Sequence, residues 1–173
     1  MSGEKKSSEY VQNKLDEVGK DINDIENKFG YHFLVSIPDT EHILNINVNE
    51  IDHLNAEDCI KHAIALTQHS FYLQKTINRA NHIKRWANRN LDKIIAKEYN
   101  NYADPRVFMP GDVVKNKIIF GNNFATELSD VVLKQDQIID TLHDMVKHVS
   151  YLSNIFKNLY YAKRGNNVSN SED

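Results

Sequence analysis

Cysteine is nearly absent from this chain. Cys59 is the only one in 173 residues, which excludes an intrachain disulfide and a thiolate metal cluster and suits a reducing, intracellular setting. Proline and glycine are also scarce, at 3 and 6, which disfavours a sheet protein punctuated by turns and favours long uninterrupted helices. Nowhere do about 18 apolar residues run together, and the opening MSGEKKSSEY lacks the apolar centre of a signal peptide. The chain therefore reads as soluble and cytoplasmic, with no membrane partner. Its 8 histidines form no His-x-x-x-His or His-Glu-x-x-His pair, so neither a metal nor another cofactor is expected. A glycine-rich phosphate loop, a nucleophile elbow and a Cys–His pairing signature are missing too. Asp136, Asp140 and Asp144 recur at four-residue steps and read as a solvated acidic face. The reading is a non-enzymatic protein.

Charge is present but unevenly spread. Residues 1–58 carry 5 Lys/Arg against 13 Asp/Glu, net −8, and residues 59–103 carry 8 against 2, net +6. Residues 104–173 carry 8 against 9, net −1, so the whole chain is at −3. Such asymmetry suggests a polyanion-binding segment screened by an acidic arm. The segment runs from Lys75 to Lys97 and holds Lys75, Arg79, Lys84, Arg85, Arg89, Lys93 and Lys97 against one acid, Asp92, plus the only tryptophan, Trp86. Leu73, Ile77, Ala80, Ile83, Ala87, Leu91, Ile94 and Ile95 recur within it at helical spacing. Phosphate backbones require several cations along a track, and single strands also reward an aromatic face for base stacking. The seven cations and Trp86 are therefore the candidate DNA-binding residues. A solvated basic face paired with acids of the N-terminal arm, and a Trp86 that belongs to the core, are the plainer alternatives.

Around that segment the chain divides into three parts. Residues 1–54 form an acidic arm. In it Val11, Leu15, Val18, Ile22, Ile25 and Phe29 mark a short helix over 8–29, weakened by Gly19 and stopped by Gly30. YHFLVSI and ILNINVN follow, bracketing Pro38-Asp39-Thr40, and Leu44, Ile46 and Val48 alternate with asparagines, the pattern of a small β-hairpin. Residues 55–164 form the nucleic-acid-binding and oligomerisation domain. Asn55 and Asp58 resemble a capping box that opens a helix to about Tyr99, roughly 65 Å long at 1.5 Å per residue. Pro105, Pro110 and Gly111 introduce an ordered loop in which VVKNKIIF suggests a short strand.

The last helix spans Thr126 to Arg164 and carries a heptad seam: Leu128, Val131, Gln135, Ile138, Leu142, Met145, Val149, Leu152, Phe156 and Leu159. Ile138, Leu142, Met145, Val149, Leu152, Phe156 and Leu159 are the candidate oligomer interface, with packing inside the chain as the alternative use. Gly165 reads as the helix stop, and residues 165–173 as a disordered tail. The expected fold class is mainly α. Two long helices pack antiparallel beside a short N-terminal helix and a small β-hairpin, and the whole assembles as an oligomer.

The last helix resembles that of the T-even phage recombination mediators, the UvsY family. Val132-Leu133-Lys134-Gln135-Asp136 resembles the Val-Leu-Lys-x-Asp run that opens it, and Lys157 with Tyr161-Ala162-Lys163-Arg164 resembles its ending. Lys97-Glu98-Tyr99 is similar to the close of the family's basic helix, and the order of elements also matches. The chain departs from the pattern at Tyr99-Asn100-Asn101-Tyr102-Ala103, where a tyrosine pair precedes glycine, and at Leu159, where arginine is expected. Residues 1–40 form an extension, so the resemblance covers about residues 50–164. It implies a small, ring-forming homo-oligomer that binds single-stranded DNA and helps load a RecA-type recombinase onto strands coated by single-strand binding protein. The family's binding cations carry over to Lys93 and Lys97. A structural or assembly protein of the virion or scaffold is the second reading, and an adaptor of a host enzyme the third.

Overall fold

The computed structural model describes residues 2–30, 40–103, 106 and 108–169. Its elements are α1 (Ser2–Lys28), α2 (Thr40–Leu44), α3 (Val48–His53), α4 (Ala56–Tyr102), α5 (Gly111–Gly121) and α6 (Asn123–Ser169). The described residues contain no strand. Contacts divide the chain into two units, with boundaries at Asn78 in α4 and Ile139 in α6. The first unit holds α1, the second half of α4, α5 and the first half of α6. The second holds α2, α3 and the remaining halves of the two long helices.

Local chemistry explains where the helices begin. At α4 the Asn55 side-chain oxygen accepts the Asp58 backbone N–H at 2.8 Å, and Glu57 and Asp58 place negative charge against the helix N-terminus. At α3 Asn47 accepts the Glu50 N–H at 3.0 Å while Glu50 reaches back to the Asn47 N–H, a reciprocal capping box. α1 stops at Gly30, whose φ of 74° lies in the left-handed region that glycine enters without strain. Gly19 is different: beyond its own stretch of helix backbone and its chain neighbours, nothing lies within 4 Å of where its Cβ would be, so packing does not require it.

In the second unit α4 and α6 run antiparallel, because contacts that advance along α4 retreat along α6. Thr67 meets Ser153 at 2.9 Å, and Ser70 meets Ser150 at 3.1 Å. Ile43, Ala63, Leu66, Leu73, Val149 and Phe156 form the core, closed by Leu44, Ile46, Ile51 and Leu54 from α2, α3 and their flanks. In the first unit Val11, Ala87, Leu91, Ala125 and Leu128 form the core. There Lys84 of α4 pairs with Asp136 of α6, the same antiparallel sense. α1 lies on this pair through Val11 and Ile22, while its Ile25 and Phe29 stay exposed.

Three expectations are corrected, and the seam takes up its alternative use. The strand over Leu44, Ile46 and Val48 is instead the end of α2, a short link and the start of α3, because the asparagine that sustains the alternation at position 47 is a helix cap. Its hairpin partner, 31–37, lies outside the described residues. VVKNKIIF is helical in α5 despite its β-branched residues, because Val114 and Ile118, one turn apart, are both fully buried. Gly165 does not stop α6, which continues to Ser169, and residues 170–173 lie outside the described residues. The seam is largely used within the chain. Val149 and Phe156 are 1% and 0% exposed, and Leu142, Leu152 and Leu159 pack around them. Ile138 is half-buried, and Met145, at 40% exposure, faces outward.

Two stability predictions follow from the second unit. Phe156→Ala, by emptying a core position, lowers stability by about 3–5 kcal/mol, read as a shift of the urea midpoint. Mild acid also weakens this unit. Burial pushes His62 and His69 below the ordinary histidine range, so the unfolded chain takes up protons that the folded chain resists. Their contribution is complete above about pH 6.5 and declines as pH falls toward the depressed folded values. The urea midpoint therefore falls from pH 7 to 5.5, less steeply in His69→Gln.

Candidate nucleic-acid interface

The basic segment lies mostly in the first unit, and its cations separate by direction. Arg79 is turned toward α1, where its Nη1 donates to Asn23 Oδ1 at 2.8 Å and Glu26 Oε2 at 2.9 Å. Lys84 is turned toward α6 and its partner Asp136. Both are neutralised inside the chain, so neither is placed for a phosphate. Lys75 falls in the second unit and is half-buried there. Arg85, Arg89, Lys93 and Lys97 remain, and all four are exposed.

These four stand at successive four-residue steps on α4. A helix advances 1.5 Å and turns about 100° per residue, so the row offers one cation about every 6 Å and drifts about 40° at each step. From Arg85 to Lys97 it therefore winds about a third of the way round the helix, ending at the mouth of a groove. That groove has a volume of about 500 Å³ and brings together α1, α4 and the start of α6. Lys93 and Lys97 line it with Trp86, Tyr10, Lys14 and Phe124, alongside Asn90, Ile94, Glu98 and Asn122.

Three rings from three helices therefore meet three lysines and one acid. Tyr10 and Phe124 pack edge to face, with centroids 5.7 Å apart and planes at 85°. Trp86 is half-buried against the first unit's core, so the core alternative holds for part of its ring while the rest lines the groove. Glu17 holds Lys14 at 2.7 Å and raises its pKa through that hydrogen bond and its charge, so Lys14 contributes less net positive charge than Lys93 and Lys97. α6 carries no acid in its first turn, which leaves the positive end of its dipole uncompensated where Asn122 and Phe124 reach the groove.

Tyr10, Lys14, Asn90, Asn122 and Phe124 were not legible as site residues. Tyr10 and Lys14 sit one helical turn apart beside Val11 in a segment that reads as acidic, and Phe124 precedes the span read as the last helix, although α6 already includes it. The order of rings and cations becomes visible only when three distant segments meet. Elsewhere, Cys59 is fully buried and its thiol is pushed up by that burial, which marks a packing residue. Among the described residues no three His, Cys, Asp or Glu side chains converge as metal ligands, and no helix is long and apolar enough to cross a membrane. No protein-family model matches the chain, and neither does any curated protein or solved structure.

The groove's electrostatics are testable without a biological ligand. Because Trp86 is the only tryptophan, intrinsic fluorescence reports on the groove directly. Iodide should quench it more efficiently than caesium at low ionic strength. In Lys93→Ala/Lys97→Ala the difference should shrink by half or more, following the loss of local positive charge.

Proposed function

We propose that this protein binds single-stranded DNA without sequence specificity and acts as a non-enzymatic phage recombination mediator. In the host cytoplasm it helps load a RecA-type recombinase onto strands coated by single-strand binding protein. The observation that carries the DNA-binding part is the four-cation row on α4 leading into an aromatic groove. A flexible strand needs regularly spaced charge for its phosphates and ring faces for its bases, and this surface offers both. The mediator part rests on the resemblance of residues 50–164 to the UvsY family. Oligomers would join several weak tracks into one strong site. Since Val149 and Phe156 are buried within the chain, self-association is assigned to exposed apolar surface such as the cleft of Tyr102, Val113 and Phe120 on the first unit.

A non-enzymatic assembly component is the second reading, favoured by Phe108 and Phe120 at 93% and 83% exposure. Fluorescence anisotropy with labelled oligo-dT separates the two. Four neutralised phosphates per subunit predict a log–log salt slope of about −2.8 per subunit. Arg85→Ala/Arg89→Ala removes half of that row, so binding should weaken at least tenfold at low salt and the slope should flatten. Absence of binding at low salt would sink the DNA reading and leave the assembly component.

A further inference from the structure

The groove contains more than a track for phosphates requires. Two of its polar side chains are fixed in orientation by the chain itself. Asn90 donates its Nδ2 to the Trp86 carbonyl at 2.8 Å, which leaves its Oδ1 as an acceptor. Asn122 receives the Phe124 and Ala125 N–H groups on its Oδ1 at 3.0 and 3.2 Å, which leaves its Nδ2 as a donor. Among the described residues neither remaining atom has a hydrogen-bond partner. The groove thus presents one oriented acceptor and one oriented donor beside three rings, with lysines at its rim.

We propose that this groove is a nucleotide-binding subsite that takes one nucleobase of a bound strand, turned out of the α4 track. The base lies against Trp86, Tyr10 and Phe124, its polar edge meets the Asn90 oxygen and the Asn122 amide, and its phosphate meets Lys93 and Lys97. The inference rests on the single-stranded DNA reading and specifies what its aromatic groove holds. Three observations favour a nucleobase over an apolar peptide side chain. The lining combines flat ring faces with an oriented donor and acceptor, which an aliphatic group would leave unused. Lys93 and Lys97 supply charge for the phosphate attached to a base. The volume of about 500 Å³ lies within the usual range for small-molecule sites.

The test uses the whole chain and two probes. In the first, Trp86 fluorescence is titrated with thymidine 5′-monophosphate and, separately, with inorganic phosphate. Saturable quenching by the nucleotide at concentrations where phosphate is silent is the expected result. In the second, anisotropy compares oligo-dT with an abasic deoxyribose-phosphate oligomer of equal length and charge. Oligo-dT should bind about tenfold tighter, the size of a single stacking contact. That preference should vanish in Tyr10→Ala/Phe124→Ala and survive in Tyr10→Phe. Both rings are already substantially exposed, at 55% and 40%, so these variants keep the core intact.

The two ideas fail differently. Equal, salt-sensitive binding of both oligomers overturns the base subsite and leaves the strand-binding reading standing. Loss of binding to both oligomers, with nucleotide quenching retained, overturns the strand reading and upholds a mononucleotide site. Nucleotide and phosphate quenching alike overturns the base subsite.

Discussion

The close approach of α4 and α6 is the constraint on which both units depend. Small residues permit it in each: Ala63 and Ser153 in the second unit, Ala87 and Ala125 in the first, all buried. At Ser153 the approach is close enough for a side chain to reach the other helix's backbone, with Oγ 2.9 Å from the Ala63 carbonyl. Thr67 Oγ1 lies 2.8 Å from that same carbonyl and 2.9 Å from Ser153 Oγ. Two hydroxyl protons serve three contacts, so one edge of this triangle is always without a hydrogen. The arrangement nevertheless leaves no oxygen unpartnered, and it fixes register more firmly than apolar packing does, because a shift by one turn would bury hydroxyls without partners.

Once that pair is set, the division of labour along α4 follows. In the second unit Leu66 and Leu73 face α6 and the cap formed by α2 and α3, so that half builds core. In the first unit α1 covers another flank of α4 and brings its own acids. Glu26 and Asn23 hold Arg79, and Asp136 on α6 holds Lys84. These contacts dispose of the cations nearest the helix–helix seams, where an unpaired charge would be costly to bury. The cations farthest from the seams keep their charge and stay in water. α1 therefore pairs Arg79 of the basic helix through Asn23 and Glu26 and lines the groove with Tyr10 and Lys14, which makes it part of the groove as well as a source of counter-charge.

How far the sequence reveals this depends on the range of the signal. The long helices were legible because their apolar spacing repeats over many turns and because Asn55 announces the start of α4. α3 was misread even though Asn47 and Glu50 spell its capping box, since asparagines alternating with aliphatic residues imitate a strand over seven positions. α5 was misread because Val113, Val114, Ile118 and Ile119 favour strands locally, whereas burial of Val114 and Ile118 on one helical face decides otherwise. The heptad seam was legible as an apolar face with two possible neighbours, since periodicity shows that a face is buried without showing against what. Its Val149 and Phe156 are buried within the chain. Of the residues singled out from charge and spacing, Trp86, Lys93 and Lys97 line the candidate groove. Arg79, Lys84 and Lys75 looked equivalent to them, because helical offsets alone do not reveal which flank α1 and α6 cover.

The four-step row has an energetic signature of its own. Like charges at i and i+4 on a helix repel by about 0.2–0.5 kcal/mol per pair, and Arg85–Arg89, Arg89–Lys93 and Lys93–Lys97 make three such pairs. Elsewhere the chain also places opposite charges one turn apart. Glu57 and Lys61 on α4 pair at 2.6 Å across one turn, and Asp144 and Lys147 on α6 pair at 3.2 Å. A helix selected only for stability would have acids interleaved in the row, as it does at its own first turns. Instead its one acid there, Asp92, stands one turn from Arg89 and leaves the other members of the row without an acid at that spacing within the stretch. Like charges also recur at this spacing in Asp136, Asp140 and Asp144 on α6, where Lys84 pairs with the first of them. A polyanion bound to the α4 row would relieve its repulsion, and would then stabilise this part of α4.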